Sequence, residues 1–150
     1  MSDQETARRR IKDDRSGRSV EDVKQYIQEI EERTLLKLYL PELLSFEFDG
    51  TELLTTVRIK DDKYELFLVE RGHEWVNYSS RDLDDFMYAV VEFLASRLAS
   101  RSIGQTSSYS RESVILKKLE ILQLISSVWS RRFFDRYVVQ MSEVHVDDLN

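Results

Sequence analysis

The chain has no cysteine, one proline, four glycines and two histidines among its 150 residues. Without cysteine there is neither a disulfide framework nor thiolate chemistry. Two histidines, His73 and His145, supply too few ligands for a zinc or transition-metal set, so no metal is expected. The glycines are scattered, so no phosphate-cradling loop forms, and no Gly-x-Ser-x-Gly elbow surrounds a serine. No cofactor is expected. Long apolar runs are also missing: none approaches the ~18 residues of a membrane span. The opening segment "MSDQETARRRIKDDRSGRS" has arginines but no apolar stretch behind them, so it does not read as a secretory signal. The expectation is a cytoplasmic protein without membrane contact.

What is present is charge. A third of the residues are charged, 41% are hydrophobic, and the formal net charge is −6. Residues 1–18 hold six basic and four acidic side chains, while the remainder holds 16 basic and 24 acidic. An acidic body repels phosphate backbones, which argues against a nucleic-acid partner. A chain of this length suits one domain with its own core. The expected organisation is a flexible tail over 1–18, one domain over 19–141, and an acidic tail over 142–150.

Hydrophobic periodicity sets out the domain. Ser19, followed by Glu21 and Asp22, reads as a helix N-cap with acids in the first turn. Val20, Val23, Ile27, Ile30 and Leu38 then follow at helical spacing, and Pro41 requires the helix to stop before it. From Leu44 the period becomes two. Leu44, Phe46 and Phe48 alternate with polar residues up to Asp49-Gly50, a hairpin signal. "ELLTTVRIK" places Val57 and Ile59 on one face, and "YELFLVE" supplies Leu66 and Leu68. With turns at Asp61-Asp62 and Arg71-Gly72, these runs predict a four-stranded antiparallel meander over 44–78. Leu44, Phe46, Phe48, Val57, Ile59, Leu66 and Leu68 are its expected core.

Helices follow. Ser79 and Ser80 are the expected caps of a helix with Leu83, Phe86, Met87, Val90, Leu94 and Leu98 as its stripe, ending near Arg101. "SIGQTSSYS" reads as a polar loop. "RESVILKKLEILQLI" is a second helix, and Ser126-Ser127 can cap a third, although one continuous helix over 110–141 is the alternative. Strands segregated from helices imply an α+β fold: an N-terminal helix, the sheet, then two or three helices packed on it.

The stretch "LFLVERGHEWVNYSS" concentrates acids, an imidazole and a tryptophan. Glu70 and His73 could form an acid–base pair, but their spacing across a tight turn does not define a shared pocket. Asp82, Asp84 and Asp85 could bind a cation, yet a helix start attracts acids for electrostatic reasons alone. Neither constellation carries chemistry, and a catalytic role is not expected. An acidic surface with aromatics instead suits recognition of a basic protein partner.

Order and spacing add a resemblance. "ERG" after a strand, "LDDFMY" on a helix and a final "LEILQLISSVW" make Leu66 to Trp129 resemble the immunity-protein family numbered sixty-three. The carrying residues are Glu70, Arg71, Gly72, Leu83, Tyr88, Arg101, Arg111, Leu119, Leu122 and Trp129. The resemblance implies a non-catalytic antidote that binds and blocks the toxin domain of a bacterial competition system. It also implies that Arg71, Gly72, Tyr88, Arg101, Arg111 and Trp129 serve the shared fold. Glu70, Glu74 and Trp75 at the hairpin end, with Asp82, Asp84 and Asp85 at the helix start, are the candidate contacts to that partner. A generic adaptor domain, or a small enzyme centred on Glu70 and His73, are the alternatives.

Overall fold

A computed structural model of the protein describes residues 17–104 and 110–149. The tail expected over 1–18 therefore lies outside the described residues up to position 16, as does most of the loop expected after Ser102. Arg18 is already tied down. Its guanidinium pairs with Asp62 at 2.6 Å and donates to the Arg81 carbonyl at 2.9 Å.

Helix α1 spans Val20–Thr34. The Ser19 hydroxyl accepts from the Glu21 N–H and the Asp22 carboxylate accepts from the Ser19 N–H, so the N-terminal donors are satisfied as expected. The helix stops well short of Pro41. Leu35 takes a left-handed φ of 62°, and the Glu31 carboxylate accepts from the N–H groups of Leu38 and Tyr39. Leu38 is buried, though it arrives there from the loop and not from the helix face.

The sheet has strands β1 (Leu44–Ser45), β2 (Thr55–Lys60), β3 (Lys63–Glu70) and β4 (His73–Ser80), in the order β1-β2-β3-β4. The two hairpins are as expected. Asp61 and Asp62 have φ of 51° and 62°, Arg71 and Gly72 have 52° and 78°, so both two-residue turns hold positive φ at each centre. That handedness matches the twist of the strands they join. The first edge is a correction to the meander: β1 pairs with β2 in parallel, Leu44 opposite Thr55. Asp49-Gly50 makes no hairpin. The Asp49 carboxylate instead accepts from the Thr51 N–H at 2.9 Å, closing a local turn. The 46–54 segment crosses the outer sheet face, where Phe48 packs on Phe67 at 5.8 Å between ring centroids. Crossing that face returns the chain to the start of β2, so the two strands run the same way.

Phe48 is consequently 46% exposed and outside the core, contrary to expectation. Phe46, Ile59 and Leu68 are half-buried, while Leu44, Val57 and Leu66 are buried.

The other face is covered by α1 and by α2 (Leu83–Ile103), on which α3 (Arg111–Ile125) packs, followed by α4 (Ser127–Leu149) against α3. Asp82, not a serine, caps α2, accepting from the Asp85 N–H. Between α3 and α4 the backbone of Ser126 is extended, and its hydroxyl accepts from the Trp129 N–H. That one residue ends one helix and caps the next, deciding for two helices over 110–141. The backbone of α4 remains helical to Leu149, through the stretch expected as an acidic tail.

The core joins all layers. Val23, Ile27 and Ile30 of α1, Val57 and Leu66 of the sheet, Phe86, Val90 and Leu94 of α2, and Ile121 and Leu122 of α3 form one buried cluster. At roughly 1.5–3 kcal/mol per buried side chain, this burial fixes the helices against the sheet.

Candidate functional site

The register of β3 and β4 sorts the expected contact residues onto two faces. Leu66 lies opposite Tyr78, Leu68 opposite Trp75 and Glu70 opposite His73, all toward the helices, whereas Val69 and Glu74 point outward. A bulge at Asn77, between the Leu66 and Phe67 pairings, keeps both sets in phase.

Trp75 is 57% exposed although the register places it on the helix side. Glu70, Arg71, Gly72 and His73 are exposed at the hairpin tip. Glu74 belongs to the outer face. Its carboxylate accepts from Arg58 at 2.5 Å and is held below the usual carboxylate range by that hydrogen bond. Arg58 also pairs with Glu65 and lies 3.9 Å over the Phe67 ring.

The three aspartates lie at the other end of the strand. Five strand steps, roughly 17 Å, separate Trp75 from Ser80, so the hairpin end and the α2 start do not form one patch. Each aspartate also has a partner. Asp82 caps α2. Asp84 accepts from the Tyr26 hydroxyl at 2.9 Å; burial first and this contact second push the tyrosine up to about 12. Asp85 accepts from the Tyr78 hydroxyl at 2.6 Å and pairs with Arg132 at 3.0 Å. The Tyr78 contact is the main cause of its lowered pKa.

The family-pattern residues have traceable positions. Arg71 and Gly72 supply the positive-φ turn, and the Gly72 N–H donates to Glu52. Arg101 pairs with Glu42 at 3.5 Å, and Arg111 opens α3. Tyr88 is buried on α2 with its ring edge against Trp129, which stacks in turn on Tyr26.

Periodicity did not reveal a cleft of about 540 Å³ between β4, α2 and α4. Tyr78, Tyr88, Phe93, Arg97, Arg132 and Arg136 are among its lining residues. Below it Lys118, 5% exposed, pairs with Glu92 at 2.5 Å and lies 4.0 Å over the Phe133 ring. Burial lowers the lysine pKa, and the Glu92 carboxylate partly offsets this. The signal in the sequence was Arg132 and Arg136 one turn apart on one helix, but their facing surface depends on how α4 crosses α2.

Glu70 and His73 lie outside this cleft, on the exposed hairpin tip. Among the described residues no group of three or more His, Asp or Glu side chains is placed to hold a metal ion. No helix there is long and apolar enough to cross a membrane. A further open groove lies between α3 and α4, where Leu116 and Phe134 are exposed.

The fold is thus that of an α+β protein with four helices and a small mixed sheet, and with a cationic, tyrosine-lined cleft between β4, α2 and α4. Residues 61–138, just over half the chain, match the family model described as Immunity protein 63. The chain belongs to that family, and membership indicates an immunity role. No curated protein and no solved structure matches it.

Proposed function

We propose that the protein is a cytoplasmic antidote that binds a cognate toxin domain and blocks it by contact, without catalysis. The carrying observation is Trp75. This tryptophan is more than half exposed on a paired strand, and it shares the helix-facing side of the sheet with the cleft. Aromatic anchors of this kind dominate interface burial. The net charge of −6 favours a toxin that is basic overall, since complementary charge raises the encounter rate. Glu70 at the hairpin tip would contribute to that field. Asp82, Asp84 and Asp85 would add mainly long-range attraction, because each already accepts from a protein donor.

The test uses the toxin domain encoded beside this gene. The two products should co-purify, and co-expression should protect cells. Trp75→Ala should raise the dissociation rate by about tenfold or more, as an anchor loss of ~1.4 kcal/mol or greater requires, without lowering the thermal midpoint. Absence of binding and protection by the full chain would overturn the reading. A loss on Phe134→Ser with no effect of Trp75→Ala would move the interface to the α3–α4 groove.

A further inference from the structure

The charges lining the cleft do not cancel. Arg132 is matched by Asp85, and Glu92 is matched by Lys118. Arg97 and Arg136 line the same cleft, and among the described residues neither forms an ion pair. The protein is acidic, so two unmatched arginines in one concavity run against its overall charge. The second observation is independent of charge. Tyr88 is 3% exposed, lines the cleft, and has a buried hydroxyl without a hydrogen-bond partner. Among the described residues it is the one buried side-chain polar atom in that state. Native folds rarely leave such a group unpaired, so a hydroxyl with no protein acceptor beside a cavity calls for a partner from outside the chain.

One chemistry meets both conditions. We propose that the cleft receives an aspartate or glutamate side chain projecting from the toxin. Arg136 and Arg97 provide the opposing charge, and the carboxylate accepts from the Tyr88 hydroxyl once the side chains covering that oxygen move aside. A guanidinium is the side chain best matched to a planar carboxylate. Tyr78 and Phe93 flank the carbons of the acid, and the volume leaves room for the neighbouring residues of a loop. A lysine or arginine from the partner is excluded by like charge and gives Tyr88 no acceptor. The assignment rests on the proposal that this surface binds a toxin. It adds that a toxin basic overall carries one acidic residue read by this cleft.

The experiment follows amide shifts of the full chain by NMR. It is titrated with the blocked tripeptide Ala-Glu-Ala, with its counterpart Ala-Gln-Ala, and with inorganic phosphate. The glutamate peptide should perturb Asn77, Tyr78, Ala89 and Ser96, and the glutamine peptide should bind at least about tenfold more weakly, the scale of a hydrogen bond to a charged group. Arg136→Gln should weaken the glutamate peptide by a similar factor. Tyr88→Phe should weaken it as well while raising the unfolding midpoint, a combination that a purely structural tyrosine would not give. Equal binding of the two peptides, or none of either, overturns the proposal. Binding of phosphate in preference to the glutamate peptide overturns it in favour of a free-anion site. If the toxin domain binds the wild-type chain and both variants equally, the carboxylate assignment fails and the antidote reading stands. If the toxin domain does not bind at all, the antidote reading fails while the peptide arm still reports on the cleft.

Discussion

The start of α2 and the cleft beside its middle are built from the same kinds of residue and use them in opposite ways. At the start, three aspartates within four positions look like an excess of negative charge. Each is nevertheless engaged, with a helix end, with Tyr26, or with Tyr78 and Arg132. In the cleft the charged residues are spread from Glu92 to Arg136. Among the described residues Arg97, which lies over the Phe93 ring, and Arg136 lack an ion-pair partner, and a tyrosine hydroxyl lacks a hydrogen-bond partner. Density of charge along a chain therefore says little about availability. What matters is whether the fold brings a complementary group within hydrogen-bond reach.

The sharpest way to break this comparison is Tyr88→Phe. The ring keeps its contacts with Trp129 and Arg132, while an unsatisfied buried hydroxyl disappears. Folding stability should rise by about 1–3 kcal/mol in denaturant unfolding, the cost of leaving such a group unpaired. A loss of stability would mean that the hydroxyl is satisfied in solution and that the two regions do not differ.

Asp85→Asn tests the other side and should cost about 1 kcal/mol, a charged hydrogen bond discounted for its partial exposure. The effect should depend on pH. The folded-state pKa of Asp85 lies below its ordinary value, chiefly through the Tyr78 hydroxyl. Its contribution is therefore full above the unfolded Asp pKa of ~3.9 and is lost as the pH falls through the lower folded value. Below that point wild type and variant should converge; a gap unchanged from neutral pH to that region would contradict the assignment.

Tyr26→Phe keeps the stack on Trp129 but removes the bond to Asp84. About 0.5 kcal/mol should be lost at neutral pH, given the exposure of the pair. Because the folded tyrosine pKa is raised to about 12, its contribution is present below ~10 and is lost as the pH rises through the folded value. The alkaline limb of the stability curve should flatten in the variant. The smallest expected change in stability is that of Trp75→Ala, within about 0.5 kcal/mol, since an exposed side chain away from the core leaves little behind. A large loss there would show Trp75 to be a packing residue.

Much of the fold was legible because its signals are local. Ser19 and Ser126 are read as caps from their neighbours alone, and Asp61-Asp62 and Arg71-Gly72 mark tight hairpins between runs of period two. The misjudged edge strand shows the limit. Asp49-Gly50 has the residues of a hairpin, but Phe48 gains more by covering Phe67 than by continuing an alternation. That choice involves a side chain nearly twenty positions away. The spacing of Glu70, Glu74 and Trp75 from the three aspartates is likewise set by the sheet. An eight-residue strand is long enough to hold its two ends apart, and the pleat sends Glu74 and Trp75 to opposite faces.

By itself, then, the sequence determined the element types, most turn positions, the acidic balance and the membership in an immunity family, because these depend on composition, spacing and short-range backbone preference. Only the tertiary structure decided which charges remain available. An aspartate is spent or free according to the donor that packing delivers to it. The pairing of Lys118 with Glu92, of Asp85 with Arg132, and the solitude of the Tyr88 hydroxyl arise from where α3 and α4 cross α2 and the sheet, which no window of neighbouring residues contains.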